Sequence, residues 1–299
     1  MSDKAQKPPE EWRNFTTRYP IPACRLKRDG LKRLYQIVNE KQKEYRDKVV
    51  GQLSQLPGET EPEFLARKQR VIDAFVTSVT ITGSNDEVLT GNSEQIFDDI
   101  NLPSRMKSVF YSTQSVPNAV LNHIPQDRIV IFLDFSQPPI LNFSQMPTFS
   151  TPNESNFEIT ANGESWFSAT KLKLTEFFDA RQTQCGWLHR AGTYDILLFV
   201  VGLPLAVWAS IKIGVEFPRL NGVDILPRTL VYSYVFLAVL FLFRAFFSYS
   251  RWVFPKVEIE ADVRTTPLQH RGIWGAILLA IIGPALYELV RSLLMAFLS

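Results

Sequence analysis

Two cysteines, Cys24 and Cys185, and three histidines, His123, His189 and His270, are all that the 299 residues contain of those types. Neither cysteine sits in a CxxC or other ligand-spaced pair. A disulfide framework is therefore excluded, no metal ligand set is nominated, and a reducing compartment fits best. The chain also lacks a GxxxxGK[ST] phosphate loop, a GxGxxG turn, an HExxH pair and a GxSxG elbow, so no catalytic residue and no cofactor is assigned. An excess of one charge is missing too, with 32 Lys plus Arg against 30 Asp plus Glu. That balance excludes a nucleic-acid binder resting on bulk charge. No repeat at a fixed period is visible. The opening MSDKAQKPPEEW has no apolar core of signal-peptide length, so the N-terminal half is expected not to be exported.

The chain does have long apolar runs, hidden behind a mean hydropathy of −0.03. The first 190 residues carry 23 basic and 23 acidic side chains, and the last 109 carry only 9 and 7. Spanning about 30 Å of hydrocarbon takes roughly 20 mostly apolar helical residues, because every backbone polar group must be bonded internally. Three windows meet that demand: 196–215, 230–249 and 273–298. The third would reach about 39 Å and must tilt, kink or protrude. Gly202 with Pro204, and Gly283 with Pro284, offer kinks.

Lys and Arg near the span ends predict the orientation. Lys171, Lys173, Arg181, Arg190, Arg244, Arg251, Lys256, Arg264 and Arg271 fall on one side, against Lys212, Arg219 and Arg228 on the other. The N-terminal domain is expected in the cytoplasm and the C-terminus across the membrane, the plasma (inner) membrane if the source is a bacterium. Trp187, His189, Arg190, Trp252 and Trp274 are candidate interfacial anchors. Asp195, Lys212, Arg244, Glu288 and Arg291 are the ionisable residues of the spans. Asp195 and Arg244 are placed at similar depth, and Glu288 and Arg291, three apart, on one helical face. They read either as an ion path or as pairs that hold the helices together.

Residues 1–28, with PPEEW and RYPIP, read as an extended arm, because proline resists helix interiors and central strands. Residues 29–190 then read as a soluble α+β domain. Leu31, Leu34, Tyr35, Val38, Tyr45, Val49 and Leu53 keep helical spacing up to LPGE. Thr60 and Glu63 form a capping box for a second helix carrying Phe64, Leu65, Val71, Ile72 and Phe75. The period then falls to two. VTSVTIT and EVLT predict a strand pair, and Asn92 and Ser93 begin a short helix. KSVFYST, RIVIFLDF and NFEIT are further strands of a mostly antiparallel sheet. The run 129–133 is apolar on both alternations and predicts a central strand covered on both faces. ESWFSATKLKLTEFFDARQ is a C-terminal helix with Phe167, Thr170, Leu174, Phe177 and Phe178 inward. In the membrane region 191–299, PKVEIEADVRT alternates as a half-buried strand.

The Pro-, Ser- and Asn-rich stretch 136–156 predicts a long loop, either folded over the sheet edge or a binding loop anchored by Ile140, Leu141, Phe143, Met146 and Phe149. Asp134, just before it, is the one carboxylate to test for catalysis, against a turn-capping role. The expected function is a membrane-anchored cytoplasmic module that senses or binds a partner. The alternative is an effector whose oligomerised helices conduct across or perturb the bilayer. The lipid bilayer and a protein partner or second copy are the expected contacts; no nucleic acid is.

Overall fold

The apolar stripe that begins at Leu31 becomes α1 (Arg28–Gly51) in the computed structural model of the chain, which describes residues 15–140, 147–217, 222, 224–260, 269–280 and 283. Two compact units form. Unit 1 comprises Met1–Phe135 and Glu154–Gln182; unit 2 comprises Ser136–Asn153 and Thr183–Ser299.

In unit 1, α1 and α2 (Glu61–Ala74) make the predicted hairpin. Glu63 reaches back to accept the Thr60 backbone N–H at 2.8 Å, satisfying one of the donors a helix start leaves open. Arg67 forks onto Glu59 at 2.8 and 2.9 Å and closes the turn between the helices. α2 is more exposed than its stripe predicts. Leu65 is open to solvent, and only Ala74 and Phe75 are drawn into the core.

The strands β1 (Phe15–Pro20), β3 (Ser78–Gly83), β4 (Val88–Gly91), β5 (Met106–Ser112), β6 (Arg128–Asp134) and β7 (Asn156–Ala161) form one sheet in the order β1-β7-β6-β5-β3-β4, every pair antiparallel. Phe15–Pro20, predicted as part of an arm, is thus an edge strand. That is where the proline rule still allows a strand, since Pro20 ends the ladder. β2 (Cys24–Lys27) follows it. β6 is central as expected, but only one of its alternations is sealed: Ile129, Ile131 and Leu133 are buried, whereas Val130 and Phe132 are half-buried. Val79, Ile81, Val109, Tyr111, Phe157 and Ile159 share the sealed face.

The helices α1 and α4 (Glu164–Asp179) close that face. Tyr111 donates its hydroxyl to the Leu31 carbonyl at 3.1 Å, and Phe178 stacks on Phe157. Gln42 ties α1 to two strand ends: it accepts from Thr77 Oγ1 at 2.8 Å and donates to the Thr113 carbonyl at 2.9 Å. A buried amide satisfied on both sides admits one register of helix on sheet. The short helix predicted after Asn92 is a 3₁₀ turn, Glu94–Asp98, capped by Ser93. α3 (Ser115–Leu121) was not anticipated, because seven residues containing Pro117 are too few to show a helical period.

In unit 2, α5 (Thr193–Leu197), a π-helical turn (Leu198–Gly202) and α6 (Leu203–Glu216) run on as one apolar helix, and α7 (Ile225–Val253) is the second. Both are long and apolar enough to cross a membrane, with mean hydropathies of 2.2 and 2.1. The widened turn falls just before Pro204, which lacks the N–H that a regular ladder would need there. Sequence reading predicted three such helices; among the described residues there are two. Of the third window, 273–280 and Gly283 are helical and the rest lies outside the described residues. β8 (Val257–Glu260) is extended, as its alternation predicts.

Small residues join α6 to α7. Gly202, Ala206, Ser210 and Gly214 recur every fourth position. A Cβ at Gly202 would lie 3.0 Å from the Phe243 ring, and one at Gly214 would lie 2.6 Å from the Tyr232 hydroxyl. Ala206 is fully buried, and Ser210 donates to the Ala206 and Tyr232 carbonyls at 2.9 and 3.4 Å. This small-xxx-small spacing is how helices approach closely where no water drives them together.

Candidate functional site

The side chains with the most constrained chemistry gather where α7 ends and α5 begins. Gly192 adopts φ +77°, a left-handed conformation that only glycine takes without strain, and so turns the chain from the 3₁₀ segment Gln184–His189 into α5. The segment 147–153 is fastened to this corner. Gly192 N–H donates to the Thr148 carbonyl at 2.9 Å, and Thr148 Oγ1 donates to Asp195 Oδ1 at 3.0 Å. Thr151 N–H donates to the His189 carbonyl at 3.3 Å.

His189, a candidate interfacial anchor, is buried. Its Nε2 lies 2.8 Å from the Phe254 carbonyl, and its Nδ1 lies 2.9 Å from Thr151 Oγ1. A carbonyl only accepts, so Nε2 carries the hydrogen and Nδ1 accepts from the threonine; the ring is a neutral bridge between two segments. Burial lowers its pKa to about 4. The Phe254 hydrogen bond pulls the other way, and the Arg251 and Lys256 charges lower it further.

Arg251 is buried beside it. Nε donates to the Leu188 carbonyl at 2.9 Å and Nη2 to the Phe149 carbonyl at 3.1 Å, while the guanidinium lies 4.6 Å from the centre of the Phe247 ring. Under it, Leu188, Tyr194 and Phe247 form an apolar cluster. Arg244, Ser248 and Arg251 share one face of α7 at helical spacing, and together with Pro138, Pro139, Pro147 and residues 149–152 they line an open cleft.

An aromatic group surrounds the same end of α7. Trp252 stacks on Tyr249, the His270 ring stands edge-on to Trp252 at 5.1 Å, and the Tyr249 hydroxyl lies 2.9 Å from His270 Nδ1. Trp274 donates to Ser250 Oγ at 2.7 Å and packs edge-on against Phe254. Arg271 Nη2 donates to both carboxylate oxygens of Glu258, at 2.7 and 2.8 Å. These contacts tie the helix 269–280 to the C-terminal turns of α7.

Of the candidate binding loop, Ile140 and Phe149 are exposed, and Leu141, Phe143 and Met146 lie outside the described residues. Trp187 and Arg190 are exposed, whereas Trp252 and Trp274 are half-buried. Among the span charges, Asp195 takes the Thr148 hydroxyl, Arg244 lines the cleft, and Lys212 lies 3.8 Å from Glu216 on its own helix. Glu288 and Arg291 lie outside the described residues. In unit 1, Asp134 Oδ2 accepts the Glu154 N–H at 3.4 Å, the turn role weighed against catalysis. Among the described residues no three His, Cys, Asp or Glu side chains converge as metal ligands.

Arg251 and Phe149 were missed as a pair, because the loop and the helix end that hold them are a hundred positions apart. Only the threonine and serine hydroxyls scattered through 148–155 hinted that the loop had polar bonds to make. The Gly202-to-Gly214 spacing was legible but unread. No family model, no curated protein and no solved structure matches the chain.

Proposed function

We propose that the protein is a membrane-anchored module whose α+β unit binds a partner or ligand and passes that event to the membrane helices. One observation carries the reading: the segment 136–153, which joins the neighbouring strands β6 and β7, belongs to the helical unit and is fastened by Thr148, Phe149 and Thr151 to the ends of its helices. The chain passes between the units at 135/136, 153/154 and 182/183. Strain at the β6–β7 end therefore has a route, along the chain and then through these hydrogen bonds, to Asp195 and Arg251.

The anchor is supported by outward apolar surface. Phe199, Trp208, Ile211, Leu230 and Leu237 are all more than half exposed, far beyond what a water-soluble monomer tolerates as a patch. The Lys and Arg imbalance across the spans supports a cytoplasmic α+β unit, with the plasma (inner) membrane as host if the source is a bacterium.

The test uses the full chain. After alkaline washing and ultracentrifugation it is expected in the membrane pellet, and after detergent extraction its native mass is expected to exceed an integer multiple of 34.2 kDa through a retained partner. Recovery in the supernatant overturns the anchor. Integer multiples alone, with dye released from liposomes, establish instead the second reading, an effector whose assembled helices conduct or perturb the bilayer. The Lys212–Glu216 pair favours that alternative, since both side chains are exposed on an apolar helix and call for water or a second copy.

A further inference from the structure

We propose that the cleft lined by Arg244, Ser248 and Arg251 binds the phosphate of an anionic phospholipid headgroup. The proposal rests on the membrane reading above. Three observations carry it. First, the donors are of the right kind and on one face: residues 244, 248 and 251 of α7 line a single cleft with two guanidiniums and a hydroxyl, and Ser150 adds a second hydroxyl from the loop. A guanidinium fork matches two phosphate oxygens, which an ammonium does not. Second, Arg251 is set in advance. Nε and Nη2 are held by the Leu188 and Phe149 carbonyls and the Phe247 ring lies against it, so little rotamer freedom is left to lose on binding. Third, no carboxylate is among the described residues that line the cleft.

The occupant is a lipid rather than a free anion because of where the cleft lies. It opens beside the last turns of an apolar helix, at the level of Tyr249, Trp252 and Trp274, rings of the kind that settle at the headgroup layer. Prolines 138, 139 and 147 supply a stiff, largely apolar wall suited to a glycerol backbone. The carbonyl end of α7 opposes an anion, so the two arginines must supply the attraction, and binding must weaken as salt rises.

The test is native mass spectrometry of the full-length protein in detergent doped with phosphatidylglycerol or phosphatidylcholine, which share the phosphate but not the net charge. Expected are retained phosphatidylglycerol and little phosphatidylcholine, with about tenfold weaker retention in Arg244→Gln and a smaller loss in Ser248→Ala. Arg228→Gln, at the opposite end of α7, is expected to leave retention unchanged. Equal retention of both lipids, or unchanged retention in Arg244→Gln, overturns the proposal. So does binding of millimolar inorganic phosphate to the lipid-free protein without phosphatidylglycerol retention, which marks a site for a free anion. A chain found in the supernatant rather than the membrane pellet fails the anchor first. A chain in the pellet without lipid preference fails only the headgroup site.

Discussion

The two units are packed on opposite principles. In unit 1 the largest apolar side chains are innermost: Ile131, Leu133, Tyr111 and Phe178 are fully buried, and the sealed sheet face alternates with a wetter one. In unit 2 the contact between the long helices is made by Gly202, Ala206, Ser210 and Gly214, while Phe199, Trp208 and Leu230 point outward. Water drives large residues together, at about 25 cal/mol per Å² of apolar surface removed from it. Lipid does not, because hydrocarbon receives a leucine as readily as a neighbouring helix does, and close backbone approach decides instead.

That contrast can be broken by substitution, and the largest effect is expected inside the sheet. Ile131→Asp places an unpaired charge where no water reaches, and unit 1 should not fold; native circular dichroism of the full chain in detergent would contradict the account of its core. Leu133→Ala, a cavity rather than a charge, should cost about 2–5 kcal/mol in denaturant unfolding. The reverse substitution tests unit 2: Gly202→Leu drives a side chain into Phe243 and Leu198 and should cost about 1–3 kcal/mol. Phe199→Ala, on the outward face, should leave detergent stability nearly unchanged, and a loss as large as that of Leu133→Ala would refute the inside-out comparison.

Acid should separate the units as well. His189 folds with a pKa near 4, below its ordinary 6.5, so its contribution is present above pH 6.5 and is lost as pH falls toward 4. Unit 2 should weaken over that window by at most about 3 kcal/mol, and a His189→Gln chain should show a flatter melting temperature between pH 7 and 4. A smaller effect than that of the core substitutions is expected at the surface, where Thr60→Ala should lower stability by about 1 kcal/mol through the lost cap of α2.

Local signals carried much of this architecture. The period of two from Val76 and from Lys107, the capping box at Thr60 and Glu63, and the apolar runs of α6 and α7 depend on neighbours in the chain, so they are legible without coordinates. The same runs mark the two helices long and apolar enough to cross a membrane. Elements too short to show a period, such as α3, were invisible. That residues 15–20 of the extended arm pair as an edge strand was not legible, because an edge strand needs a partner, and β7 lies some 140 positions away.

The sequence by itself determined that this protein has an α+β half and a half with helices long and apolar enough to cross a membrane, because burial preference is written into each window by composition and period. Only the tertiary structure decided that the stretch after β6 joins the helices, that Arg244, Ser248 and Arg251 share a cleft with that stretch, and that His189 is a buried neutral bridge. Those facts depend on hydrogen bonds between segments up to about a hundred residues apart, such as Arg251 to Phe149, and such pairings leave no local pattern.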